Sequence, residues 1–290
     1  MTSIPLDSQS FSDEDFRFRL GTVPGSPEEF FAWSTDSAAV LAERRVWFAA
    51  NPLRYAALLP EGAAIAQELL ESVASWPMLR DAPRDLCSPG VSLFERLVML
   101  SEQWEPDFVL LAPRRQTSPA NSHHDEPLFT VAGGCVCFPS AWRLTDKLGQ
   151  TVDQVHQPVP QLNSALASQI DRLLARLRPG KCLVRSNWGV CRLPELNQHP
   201  ERNLPTIQLP VRLEEAWLRR EDQCLFALPR TGGVVFGIRV THTSWPDVRR
   251  NRSVARSVAR SLRTMPLDML DYKRLGDVRE QLAQLLDDNV

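Results

Sequence analysis

The sequence predicts an α+β fold, a mainly antiparallel sheet with a helical shell on its N-terminal side and helices closing its C-terminal side. Apolar residues recur at helical spacing before residue 76, and strand-like runs cluster between residues 107 and 241 around one long amphipathic helix. Helical spacing then returns after Asp247.

The first helix is expected over Asp36 to Ala50, with Val40, Leu41, Trp47 and Phe48 as its apolar positions. Asp36 has the chemistry of an N-cap, and Asn51-Pro52 stops the helix. A second runs from Pro60 to Trp76 through Ile65, Leu69, Val73 and Trp76, and the proline- and charge-rich stretch from Arg80 to Gly90 reads as a loop. Phe108 to Ala112 and Leu128 to Phe138 read as buried strands. The polar loop between them contains His123-His-Asp-Glu126, whose adjacent residues diverge too much to bind a metal as an i, i+4 pair would.

Gln161 to Arg178 is the clearest amphipathic helix, with Leu162, Leu166, Ile170, Leu173, Leu174 and Leu177 on one side and Pro179-Gly180 as its stop. Strands follow at Leu183 to Val190, Ala216 to Leu228 and Gly233 to Thr241, with Thr231-Gly-Gly233 as the turn between the last two. Helices over Asp247 to Thr264 and Leu275 to Asp287 end the chain.

At 290 residues and 43% hydrophobic composition the chain can bury a substantial core. A net charge of −2 argues against a protein that coats nucleic acid or anionic membrane. Residues 1–15 are polar and acidic, unlike a signal peptide, and no apolar run reaches the ~18 residues of a membrane span. These features point to a flexible N-terminus over 1–15, one domain over 16–290 and a cytoplasmic location. The six cysteines are too scattered for a disulfide scaffold, and Cys135-Val-Cys137 lacks a partner pair for zinc or iron–sulfur, so buried core thiols are expected.

The richest segment is Gly134-Cys-Val-Cys-Phe-Pro-Ser-Ala-Trp-Arg-Leu-Thr-Asp-Lys-Leu-Gly149, followed by Val155-His-Gln-Pro-Val-Pro160. Two prolines after His156 present its imidazole from a stiff segment that should not join a helix, as an axial metal ligand would require. If Trp142 to Gly149 is helical, Arg143 and Lys147 share a face and suit two carboxylates such as haem propionates. The other readings are a loop histidine bonded to a carbonyl and two solvated cations. His199 and His242 are rival ligands.

Together with Phe16-Arg-Phe-Arg-Leu-Gly21, Arg185-Ser-Asn-Trp188, Arg219-Arg-Glu-Asp-Gln223, Leu228-Pro-Arg-Thr-Gly232 and Tyr272-Lys273, this segment resembles the alpha subunit of the haem-dependent oxidative N-demethylases. The resemblance spans about Phe16 to Lys273. It implies a PAS-like haem domain with helical extensions, His156 on the iron, and Trp142, Arg143, Lys147, Arg185 and Asn187 around a b-type haem. It also implies oxidative removal of a methyl group from a small secondary amine with dioxygen, releasing formaldehyde, with electrons from a separate flavin and iron–sulfur reductase. A haem-based gas sensor or haem carrier is the alternative.

Alternation places Arg185 and Asn187 on one strand face, and Arg219, Glu221 and Gln223 on one face of another. A buried Arg185 needs an anion, and Glu221 and Gln223 could receive an amine; an exposed charged edge strand is the plainer reading of residues 219–223. The chain departs from the family pattern at Asp222 and Ala227, where the family carries arginine, and at Glu105-Pro-Asp107, where it tends to carry adjacent Glu-Asp. Arg249, Arg252, Arg256, Arg260 and Arg263 form a basic ridge, a solvated face or a docking surface for the reductase near Arg252, Arg256 and Arg260. No aromatics interleave with it, which disfavours nucleic acid.

Overall fold

A computed structural model describes residues 11–74, 76, 90–114 and 127–287. The Arg80 to Gly90 loop, apart from Gly90, and the His123 to Glu126 loop lie outside the described residues, as do residues 1–10. Among the described residues seven strands form one sheet: β1 Val23–Gly25, β2 Ala56–Leu58, β3 Asp107–Arg114, β4 Leu128–Cys135, β5 Cys182–Cys191, β6 Trp217–Ala227 and β7 Val234–Ser244. Their order is β1-β5-β6-β7-β3-β4-β2, and every pairing is antiparallel, so the α+β expectation holds.

β5, β6 and β7 make a long meander; β5 is one residue longer than expected at each end and β7 runs three residues further, while β6 is one residue shorter at each end and β7 begins one residue later. The β3–β4 hairpin pairs with β7. The register of β3 on β4 shifts between Leu110 and Leu111, where Ala132 is passed over, next to Gly133 and Gly134. Both glycines have positive φ, and a Cβ on Gly133 would lie 2.6 Å from the Ala57 carbonyl oxygen. The two glycines therefore let β2 and β3 close on β4 at a bulge that a larger residue would block.

The N-terminal shell comprises α1 Pro27–Phe31, α2 Ser37–Ala50, α3 Pro52–Tyr55, α4 Ala63–Val73 and α5 Leu93–Ser101. Asp36 stands at the N-cap of α2 without making a cap bond, and Asn51 ends that helix as expected. Phe31, Trp76, Trp104 and Phe226 pack as one aromatic group, with Phe31 and Trp104 centroids 4.2 Å apart. Such a group adds geometric preference to area burial.

Two short segments change the expected connections. Trp142 to Gly149 is not a helix; only Thr145–Lys147 makes a 3₁₀ turn, because Gly149 leaves it to bond to Val131 of β4. α6 Val152–His156 then forms on a capping box between Thr151 and Gln154, so His156 is the last residue of a helix rather than part of an extended segment. Thr151-x-x-Gln154 is the overlooked start signal, and Pro158 acts only after the helix has ended. α7 Leu162–Arg176 packs Leu166, Ile170, Leu173, Leu174 and Leu177 beside Val109, Leu111 and Val234 of the sheet.

The expected C-terminal helix divides into α8 Trp245–Arg250 and α9 Arg252–Thr264 at Asn251, whose side chain caps α9. α10 Leu267–Tyr272 was not foreseen, and α11 Arg279–Asp287 starts later than expected. The apolar stripe Val248, Val254, Val258 and Leu262 is buried. Residues 11–15, expected to be flexible, lie along α9: Phe11 is buried, and Asp15 accepts from Arg260 at 2.9 Å. Among the described residues no helix is long and apolar enough to cross a membrane.

Candidate functional site

Antiparallel pairing aligns three rows of side chains across β5, β6 and β7: Arg185 with Gln223 and Ile238, Asn187 with Glu221 and Val240, and Gly189 with Arg219 and His242. Directly paired residues point to the same face. This face therefore gathers the polar residues that alternation had assigned to it on each strand separately.

His156 reaches the same charged neighbourhood from α6. Its pKa is lowered first by burial, then by Arg185, and also by Lys147, against the opposing pull of Asp153. The imidazole is thus held neutral, and its Nδ1 is buried without a hydrogen-bond partner. An orphaned polar atom in such a position costs free energy unless something else binds it. Arg185 has the same character, with a buried, unpartnered Nε and a pKa lowered by burial against the pull of Glu221.

Lys147 and Arg143 do not act as a pair. The Lys147 ammonium lies 3.5 Å from the Val155 carbonyl oxygen, beside His156. Arg143 instead faces Asp146 at 3.5 Å and Glu201 at 3.7 Å. The physical reason is the missing helix: without an i, i+4 relation the two cations need not share a side. Trp142 is partly buried against core residues, and Asn187 is exposed.

The row below Glu221 is a connected chain. Arg219 Nε donates to Ser140 Oγ at 2.6 Å, and that hydroxyl donates to Glu221 in a short bond. Gln223 Nε2 lies 3.5 Å from the other Glu221 oxygen. The remaining donors of Arg219 go to the carbonyls of Phe138, Glu195 and Leu196. The Arg219 guanidinium thus ties two loops to the sheet, and His242 Nε2 accepts from it at 3.2 Å. Burial first, and Arg219 second, hold His242 down at about 3, so it too is neutral.

Lys273 and Tyr272, singled out in the sequence only as a family motif, also belong to this region. Lys273 donates to the Trp188 carbonyl at 3.0 Å, and burial lowers its pKa against the attraction of Glu221. Tyr272 is raised by burial and by Glu221. No periodicity links residue 273 to residue 221; only the docking of α10 brings them together.

The rival His199 is committed elsewhere. It is buried, its Nδ1 accepts from Glu201 N at 3.3 Å, its backbone N–H donates to Asn197, and its ring sits edge-on to Tyr55. Cys135 and Cys137 are buried free thiols, with burial pushing Cys135 up to about 12 and Cys137 likewise upward. Among the described residues no group of three or more His, Cys, Asp or Glu side chains could hold a metal ion.

Two departures from the family pattern, Asp222 and Glu105-Pro-Asp107, sit in buried ion pairs. Asp222 pairs with Arg220 at 3.0 Å and accepts from Ser186 at 2.5 Å. Glu105 meets Arg239 at 2.8 Å, and Asp107 meets Arg44 at 2.6 Å. Burial tends to raise Glu105, but Arg239 and the bonds from Ser37 and Ser34 bring it below the usual range. Each of these carboxylates neutralises a buried arginine; Asp222 lies on the sheet face opposite His156, whereas Asp107 pairs with Ile238 on the His156 side.

A neutral imidazole with a free ring nitrogen, beside Lys147 and an under-bonded Arg185, is a donor set that fits haem iron and anionic propionates. The matching family model is described as haem-dependent oxidative N-demethylase, alpha subunit-like, and it covers residues 85–283 of the 290.

Proposed function

The chain belongs to the haem-dependent oxidative N-demethylase alpha subunit-like family, and on that premise we propose that it binds haem through His156 and removes a methyl group oxidatively from a small secondary amine. The orphaned, neutral imidazole of His156 carries this reading. Lys147 and Arg185 would hold the propionates. The chain contains no Cys-x-x-Cys-His sequence for covalent attachment, which supports a b-type haem. We read the antiparallel sheet that would carry it as PAS-like.

When bound, haem supplies dioxygen activation and oxidation of the N-methyl carbon. A secondary methylamine, dioxygen, two electrons and two protons then give the primary amine, formaldehyde and water. Glu221 serves the substrate end. Ser140 occupies one carboxylate oxygen, and the longer contact to Gln223 leaves the other able to accept from a protonated amine. Gln223 and Asn187 would orient the amine, while Arg219 acts as a positioning residue through Ser140.

The test is an absorption spectrum of protein produced with ample haem, taken oxidised, reduced and with carbon monoxide, followed by a screen of methylamines for formaldehyde. Stoichiometric haem with formaldehyde release is expected. Haem without turnover on any amine in the presence of reductant would favour the sensor or carrier reading, and absence of haem would sink both.

The electrons are assigned to a separate flavin and iron–sulfur reductase, since an alpha subunit implies a partner and the sequence has neither a dinucleotide fingerprint nor an iron–sulfur cysteine set. Arg252 and Arg256 are exposed on α9, whereas Arg260 is paired with Asp13 and Asp15, and Arg263 with Glu280 and Asp287. The docking patch therefore centres on Arg252 and Arg256. Reversing both charges to glutamate should slow reduction on the order of tenfold at low ionic strength and flatten its salt dependence. Unchanged stopped-flow rates at low and high salt would place the partner elsewhere.

A further inference from the structure

The face of β5 and β6 turned away from His156 carries a pair of thiols that the proposed reaction does not use. Cys182 lies opposite Phe226 and Cys224 opposite Val184, so the two cysteines are diagonal neighbours on one face. Both are buried, and their sulfurs stand 3.1 Å apart. Even carbon atoms usually stop at about 3.5 Å when not bonded. A disulfide requires about 2.05 Å, so roughly 1 Å of approach separates the dithiol from a crosslink, and diagonal strand neighbours, typically about 7–8 Å apart, make it with a small shift of the strands as well as side-chain torsion.

We propose that Cys182 and Cys224 form a redox site, a dithiol that closes to a disulfide across β5 and β6 when hydrogen peroxide reaches it. Cys182 is the attacking sulfur. It stands at the start of β5, next to exposed Gly180 and Lys181, whereas Cys224 is central in β6. The hydrogen bond from Cys224 outweighs burial in drawing the Cys182 thiol pKa down, while burial and Cys182 push Cys224 well up. That asymmetry keeps the proton on Cys224 and the nucleophile on Cys182.

In the first step the Cys182 thiolate takes an oxygen from peroxide, breaking the O–O bond and forming a sulfenic acid, and the departing hydroxide gains a proton to become water. In the second the Cys224 sulfur attacks the sulfenic sulfur. The S–O bond breaks, the Cys224 proton leaves with the oxygen as a second water, and the S–S bond remains. Two thiols are oxidised by two electrons, and one peroxide is reduced to two waters. The site does not depend on the haem reading. It does pin the two strands that carry Arg185 and Gln223, which pair one step away.

The experiment uses the full chain, reduced, freed of reductant and exposed to hydrogen peroxide, then denatured in iodoacetamide, digested and weighed. A linked peptide pair containing Cys182 and Cys224 is expected, reversible by dithiothreitol, with Cys135 and Cys137 recovered as alkylated thiols. The Cys224→Ala variant should lose the linked pair and accumulate oxidised Cys182; Cys182→Ala should leave Cys224 a thiol, which separates the two roles if either variant folds poorly. Recovery of Cys182 and Cys224 from the wild-type chain as separate alkylated or sulfinic peptides would overturn the proposal.

Discussion

Replacing His156 by alanine should abolish stoichiometric haem and, with it, formaldehyde release. The imidazole is held neutral by burial and by Arg185, so no proton competes with iron at neutral pH, and its unpartnered Nδ1 means that no protein bond is lost when the ring is removed. The loss should therefore appear in haem affinity, by well over tenfold, rather than in stability, since ligand and outer-shell changes at metal sites are felt chiefly in binding. Imidazole added to the variant should restore part of the reduced carbon monoxide spectrum. The comparison variant is His199→Ala, which loses bonds to Glu201 and contact with Tyr55. It should keep its haem spectrum and melt earlier; the reverse outcome would transfer the axial role to His199. The His156 pKa lies below its ordinary value of 6.5, so haem binding by the wild type should be flat above that pH. It should weaken only as the pH falls through the lowered value and the ring is protonated.

The strands and the long helix were legible because burial imposes period on them. Val234 to Val240 alternates, and α7 repeats its leucines at helical spacing. Within β6, alternation alone put Glu221 and Gln223 together, and the register of β5 then brought Asn187 and Arg185 to them. What could not be read is non-local. Ser140 becomes the link between Arg219 and Glu221 only because the loop after β4 folds over β6. Lys273 joins by the docking of a helix with no pattern strong enough to announce it. The error at Arg143 and Lys147 was of another kind: four-residue spacing has meaning only inside a helix, and Gly149 breaks that helix by pairing with β4. At His156 the opposite holds: the prolines after it suggest an extended segment, but the capping box before it starts a helix.

Asp107→Ala should be the most destabilising single substitution outside the residues proposed to hold haem, by about 3–5 kcal/mol, because it strands a fully buried arginine charge. Asp107 accepts from Arg44 at 2.6 Å with both side chains out of solvent, and it also accepts from the backbone N–H groups of Cys137 at 2.9 Å and Phe138 at 2.8 Å. Those two donors distinguish it from an ordinary buried ion pair. Converting Arg44 and Asp107 together to methionine and leucine removes the uncompensated charge, which alone would return most of the stability in many proteins. Here it leaves two backbone donors without acceptors, at about 1–3 kcal/mol each. The double variant should therefore recover only part of the loss, and Asp107→Asn, which keeps an acceptor, should fall between them. Urea midpoints at unchanged slope measure this, and a double-mutant cycle isolates the coupling. Full recovery in the double variant would mean that the N–H groups find water or other acceptors. The same bonds fix the chain at Phe138, whose carbonyl accepts from Arg219 two residues before Ser140 reaches Glu221. Loosening Asp107 should therefore disturb the amine end of the site before it unfolds the sheet, so that at low urea turnover declines ahead of the fluorescence transition.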